Sequence, residues 1–149
     1  MELKEAIQKR RSEREFGEGS LTKEELDLLQ WSASKRPSAG ALYPIDILLA
    51  TNFEGEVISA LGVKRSIIPY AFILVGNYKK ICEKYGDRGI LYTYLEAGHM
   101  AQNMSLMAVE LELSCYCIGA FSPQALRDIC PIKPNEYPLY IVAIGRKKC

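Results

Sequence analysis

The sequence holds a single histidine, His99, and a single tryptophan. With one imidazole, metal sites built on paired histidines are excluded, and any Ser-His-Asp triad has only His99 to use. There is no Gly-x-Ser-x-Gly elbow, no phosphate-cradling P-loop and no Gly-x-Gly-x-x-Gly fingerprint. The five cysteines, Cys82, Cys115, Cys117, Cys130 and Cys149, are odd in number and include no Cys-x-x-Cys pair. That argues against a disulfide framework and a zinc ribbon, so no metal is expected. Most of these cysteines stand in apolar stretches, where cysteine behaves as a small hydrophobe, and a reducing compartment fits them. The N-terminus is charged from Glu2 onward, without the apolar core of a signal peptide. The longest apolar run, Ile67 to Gly76, is interrupted by Pro69 and is too short to span a membrane. A cytoplasmic protein without membrane or nucleic-acid partners is therefore expected; the net charge of +1 gives no strongly basic surface.

What is present is an ordinary globular composition, 48% hydrophobic and 25% charged over 149 residues. No repeat or linker divides the chain, so residues 1–149 are expected to form one domain. Leu3, Ala6 and Ile7 mark a short helix over residues 2–10. Thr22 and Glu25 form a capping box that opens a second helix. Residues 36–44, rich in proline, glycine and serine, are expected to be a loop without regular structure. Buried strands are expected at 45–51 and 70–76, with a short segment holding one weak helical turn between them. A strand at 114–121 should end at Gly119. Ser122 and Pro123 then open a short helix, and a last strand at 137–144 is expected to end at Gly145.

Residues 88–112 form the longest helical pattern. Apolar residues occur nearly all round it, so it must be covered on more than one side. A subunit interface is the natural second cover, and Ala101 is expected to face it. His99, on the same helix, is expected to be a satisfied core residue.

With little catalytic side-chain machinery, a cofactor would have to carry any chemistry. Six segments stand out. Arg10-Arg11-Ser12-Glu13-Arg14 offers guanidinium forks suited to phosphate oxygens. Pro37-Ser38-Ala39-Gly40-Ala41-Leu42-Tyr43-Pro44 lets backbone approach a flat ligand closely. Leu95-Glu96-Ala97-Gly98-His99 is followed by Gln102-Asn103. Ile118-Gly119-Ala120-Phe121 ends a strand, and Ile144-Gly145-Arg146-Lys147 ends another. Basic clusters at the two chain ends would converge on one anion if those ends meet.

In order and spacing these segments resemble the nitroreductase family, most closely its SagB-type dehydrogenase branch, which includes azoline oxidases. The likeness runs from about Arg10 to Lys147. It implies an α+β fold: a three-layer α-β-α sandwich with a central, mostly antiparallel sheet and a long buried helix at the dimer interface. It further implies an FMN-dependent oxidoreductase that passes hydride from NAD(P)H through flavin N5 to a small-molecule acceptor. The alternatives are a SagB-type dehydrogenase acting on a peptide heterocycle or C–N bond with a partner protein, and a flavin-binding subunit without turnover. The family likeness places Arg10, Arg11, Ser12 and Arg14 on the FMN phosphate and ribityl chain, with Arg146 and Lys147 returning to the phosphate. Pro37, Ser38, Ala39 and Gly40 would line the isoalloxazine ring, with Leu42 nearby, and Gly119 and Ala120 would lie against the flavin. The flavin would sit in a homodimer interface. Two departures are expected to leave the pocket more open: a short stretch between the first two strands, and no long C-terminal arm.

Overall fold

The computed structural model describes residues 1–54 and 67–149. The expected helical turn between the first two strands lies outside them. The described residues form a four-stranded antiparallel sheet with strand order β1-β2-β4-β3, where β1 is Ile45–Glu54, β2 Ile67–Gly76, β3 Leu113–Ile118 and β4 Tyr137–Arg146. Five α-helices accompany it: α1 (Leu3–Lys9), α2 (Lys23–Ser34), α3 (Lys79–Tyr85), α4 (Arg88–Glu110) and α5 (Pro123–Ile129). No helix among them is long and apolar enough to cross a membrane.

Side chains alternate across a strand, and this alternation sorts the core into two layers. Phe72, Leu74, Val142 and Ile144 pack with Leu29 and Ala33 of α2 and with Ala97, Met100, Met104 and Ala108 of α4. Ala71, Ile73, Val75, Ile141 and Ala143 face the other way, towards Leu126 of α5 and Phe121. The expected three-layer sandwich is the observed fold. β2 and β4 are its central strands, which explains why their sequences are apolar almost throughout.

The local signals account for several boundaries. Thr22 Oγ1 accepts from Glu25 N–H at 3.1 Å while Glu25 Oε1 accepts from Thr22 N–H at 2.8 Å, closing the capping box of α2. Ser122 Oγ accepts from Ala125 N–H at 3.2 Å, with Pro123 in the first turn of α5. In other places tertiary contacts override the local reading. The strand at 45 is an edge strand, with Ile45 and Phe53 its buried apolar residues, rather than a fully buried one. β2 starts at Ile67 and runs through Pro69. The pairing register passes over Pro69 and Asn52, whose φ is +50°. A residue with no N–H is accommodated by a local irregularity. Gly145 does not end the last strand. It pairs with Ser114 inside the sheet, and a Cβ there would lie 2.7 Å from the Phe16 ring and 2.9 Å from Pro69. Its glycine serves close packing rather than a turn. The 36–44 segment contains a 3-10 turn, Ala39–Ala41. The α3 helix had no clear sequence signal: a seven-residue amphipathic stretch is too short to show a period.

Candidate functional site

The segment after α1 runs beside the β3 edge. Glu13 N–H donates to Cys115 O at 3.0 Å, and Gly17 N–H donates to Arg146 O at 2.8 Å. These bonds bring the two chain ends together, the condition under which the basic clusters could share one anion. Glu13 accepts from Ser114 Oγ at 2.7 Å and from Lys147 Nζ at 3.2 Å. Burial works against its charge, but those two donors outweigh it and hold its carboxyl below the usual range. A cavity of about 150 Å³ is lined by Lys9, Arg11, Glu13, Ser105, Cys115 and Lys147, among others. A second, of about 380 Å³, is lined by Glu13, Arg14, Glu15, Ser114, Lys147 and Lys148. Arg14 lies 5.7 Å over the Tyr116 ring. Among the described residues the guanidinium groups of Arg10 and Arg11 make no hydrogen bond or contact ion pair. Ser12 is exposed beside them.

Arg146 behaves differently. Its Nη1 and Nη2 bind the Glu25 carboxylate at 2.8 and 2.6 Å, and its Nε and Nη2 reach Ser20 O. To meet a phosphate it would have to leave Glu25. Lys147, half exposed, is the C-terminal cation that lines both basic cavities.

The small-residue loop is elsewhere. Pro37, Ser38 and Ala39 line a cavity of about 300 Å³ with Tyr92, Leu95, Glu96 and His99 of α4. Two segments that are distant in sequence thus form one wall. His99 is exposed here rather than satisfied in the core: its position on α4 turns it to the uncovered side. Gly40 and Leu42 do not line this cavity. Gly40 has φ +61°, which favours glycine, and a Cβ there would lie 2.8 Å from the side-chain ends Lys84 Nζ and Tyr85 Oη of α3. Gly119 and Ala120 follow β3 as an exposed corner, and Phe121 N–H donates back to Gly119 O at 3.2 Å. The largest described cavity, about 540 Å³ over β1 and residues 129–131, contains none of the sequence-predicted residues.

Sequence reasoning missed Arg36, the residue before the loop. It is 9% exposed, and its Nε donates to Glu96 Oε2 at 3.1 Å. It also missed the surroundings of Cys117. Ser105 Oγ lies 3.7 Å from the sulfurs of both Cys115 and Cys117. A hydrogen bond from Cys115, with further help from Ser105, Tyr140 and the Arg10 charge, pulls the Cys117 thiol down to about 6 against the opposing effect of burial. The Arg36–Glu96 pair and the contacts of Ser105, Tyr140 and Arg10 with Cys117 could not be found by spacing, because they join separate elements; the Cys115–Cys117 pair itself lies within β3. All five cysteines are free thiols. Among the described residues no group of three or more His, Cys, Asp or Glu is gathered for a metal.

The architecture points to a class. The nitroreductase family model matches residues 65–146, and the chain belongs to the nitroreductase family, an oxidoreductase family. It is 32% identical to a Methanocaldococcus jannaschii protein named "Putative nitroreductase MJ1384", an alignment covering 99% of this chain and 92% of that protein. In fold it is similar to a nitroreductase family protein of Clostridium difficile 630, with TM-score 0.82, 22% identity and coverage of 100% of this chain and 86% of the other. It is likewise similar to the NfrA1 nitroreductase of Bacillus subtilis, with TM-score 0.82, 20% identity and coverage of 99% and 67%.

Proposed function

We propose that the protein is an FMN-dependent oxidoreductase that works as a homodimer. The observation that carries this reading is the set of cations after α1 at two basic cavities, Arg11 lining one and Arg14 the other, with Lys147 lining both and Arg10 adjoining in sequence. Buried or paired arginines would serve structure. Guanidinium groups that make no hydrogen bond to a carboxylate suit a phosphate monoester, which takes charge-assisted, often bidentate hydrogen bonds. FMN held there would supply the two-electron chemistry between NAD(P)H and an organic acceptor.

The chain's own residues then have separable tasks. Arg10, Arg11, Ser12, Arg14 and Lys147 hold the phosphate and ribityl end, with Arg146 bracing the strand that presents Lys147. Pro37, Ser38 and Ala39 offer a flat, small-residue wall to the isoalloxazine ring, with Gly40 and Leu42 shaping the loop behind it. Gly119 and Ala120, without bulky side chains, leave backbone N–H groups open to the ring's edge. The basic cavities and the loop cavity share no lining residue. A ligand needing both fits a site completed by a second copy, each chain giving one wall. Members of this family are typically dimeric and use NAD(P)H.

A second reading within the same class is oxidation of a peptide heterocycle or C–N bond, as in the SagB-type branch. It is favoured by one observation: the Pro37–Ala39 and Glu96–His99 segments, which carry the likeness to that branch, line one cavity.

The test is an absorbance spectrum after mixing with FMN and desalting, followed by anaerobic NAD(P)H. Retained flavin that bleaches is the expected result. Flavin retained but bleached only by a heterocycle-bearing peptide would favour the second reading, and no retained flavin would refute both. Arg14→Ala should weaken FMN binding by roughly 1.5–3 kcal/mol, the range for a hydrogen bond to a charged group. Unchanged affinity would remove Arg14 from the phosphate site.

A further inference from the structure

The loop from Pro37 to Pro44 holds an unusual backbone. Gly40, Ala41 and Tyr43 have φ of +61°, +53° and +48°. Two of the three carry side chains, and side-chain-bearing residues enter the left-handed region rarely. Such conformations persist only where the surroundings over-determine them, and they concentrate at ligand-contacting sites. Inside the loop, Ala41 N–H donates to Ser38 O and Tyr43 N–H to Ser38 Oγ, each at 3.0 Å. These bonds close the turn on itself but do not tie it to the rest of the fold.

At its far end the loop is anchored by Asn77 N–H, which donates to Pro44 O at 2.9 Å; at its near end Arg36 makes the tie. Its Nε donates to Glu96 Oε2 of α4 at 3.1 Å, and its Nη2 donates to Ile45 O at the start of β1 at 3.2 Å. Its guanidinium carbon lies 4.9 Å from the centre of the Tyr43 ring. One planar fork thus joins the residue entering the loop, the strand leaving it, a left-handed residue within it and the long helix beneath. Glu96 is held by this fork alone: it is 1% exposed, and its Oε1 has no partner among the described residues. A buried ion pair is a poor source of net stability, since well-packed apolar residues commonly do as well. The geometry that the pair fixes is the better account of its presence.

We propose that Arg36 and Glu96 are positioning residues, a buried latch that holds the 37–44 loop in its left-handed form and so keeps Pro37, Ser38 and Ala39 at the cavity wall. The identity of the ligand at that wall rests on the flavin reading above. The latch itself rests on the contacts.

Removing one partner leaves an uncompensated buried charge and endangers the fold. The informative variant is therefore the double replacement Arg36→Met with Glu96→Met, in the full chain. Three quantities are read: the melting temperature without ligand, amide hydrogen exchange at Ala41 and Tyr43, and the Kd for FMN. The expected result is a melting temperature close to that of the wild type and unchanged exchange in β2 and β4. Exchange at the two loop amides should be faster, and FMN binding weaker, each by about tenfold or more. A role confined to stability would recover both with the melting temperature. Unchanged exchange at Ala41 and Tyr43 would overturn the latch. Faster exchange with unchanged FMN affinity would keep the latch and separate the loop from the flavin. Faster exchange in a protein that takes up no FMN at all would keep the latch and refute the flavin reading. If the double variant does not fold, Glu96→Gln and Arg36→Lys decide. The amide keeps an acceptor oxygen for Arg36 and should leave exchange unchanged. The lysine ammonium has its donors on one atom and no planar group to lie over Tyr43, so it does not reproduce the separate Nε and Nη2 bonds and should speed it. Wild-type exchange in the lysine variant would overturn the proposal.

Discussion

Cys115 and Cys117 stand two residues apart on β3, so both sulfurs reach the same face of the sheet, where Ser105 of α4 lies 3.7 Å from each. They divide the work of one proton. Cys115 is buried and pushed up, above all by its hydrogen bond to Cys117, while Cys117 is pulled down to about 6. Thiolate, not thiol, is the nucleophile, so Cys117 should react with iodoacetamide at pH 7 despite its partial burial. Replacing Cys115 by Ala removes the first of the stabilising bonds and should slow that alkylation by roughly tenfold, since less thiolate is present. Peptide mapping of the alkylated protein reads the rate, and an unchanged rate would show that Ser105, Tyr140 and Arg10 suffice. In sequence, Cys115 and Cys117 read as small hydrophobes in an apolar strand. The two-residue spacing brings the thiols together, but the other neighbours that change their character come from α4, β4 and the end of α1, which no local pattern brings together.

Among the elements, the joint between α2 and β4 is the most exposed to test. Glu25 closes the capping box of α2 and also takes a bidentate bond from Arg146 at the end of β4. The arginine is the main cause of a Glu25 pKa below the ordinary range. A carboxylate whose folded value is depressed adds stability above its unfolded pKa and loses it as pH falls through the folded one. Arg146→Ala should therefore cost roughly 1–2 kcal/mol at pH 7. In urea melts the gap from wild type should shrink as pH drops below about 4.3. A gap independent of pH would place the effect in packing instead. Half of this joint was legible: Thr22 and Glu25 announce a capping box by spacing alone. The other half was not, because Arg146 is more than a hundred residues away in sequence. Similarly, the apolar run that marks β4 was plain, but its end was not. Gly145 reads as a stop, whereas Phe16 and Pro69 pack against it and the strand continues.

At the scale of the molecule, α4 decides most. It is 23 residues, about 35 Å long. One side is buried under the sheet, while Ile90, Leu91, Tyr94 and Leu95 remain between 41% and 54% exposed. Ala101, expected on the outer side, is 3% exposed and belongs to the chain's own core, so it does not probe an interface. The outward residues Leu91 and Leu95 do. In the dimer proposed above, Leu95→Glu should leave a folded monomer in sedimentation velocity, because a charge placed in an apolar interface lacks a partner. A dimer of unchanged strength would move the interface to another face.

By itself the sequence determined the buried strand β2, the capped starts of α2 and α5 and, through its motifs, the likeness to the family and its three-layer fold. Each is set by residues adjacent in the chain or repeated at a fixed period, where burial and hydrogen bonding act through local spacing. Only the tertiary structure decided that Arg36 holds Glu96, that Arg146 is turned to Glu25, that His99 faces a cavity and that the two basic chain ends share one. Those depend on which elements become neighbours, and long-range packing selects neighbours through the summed burial of whole faces, which no single stretch of residues encodes.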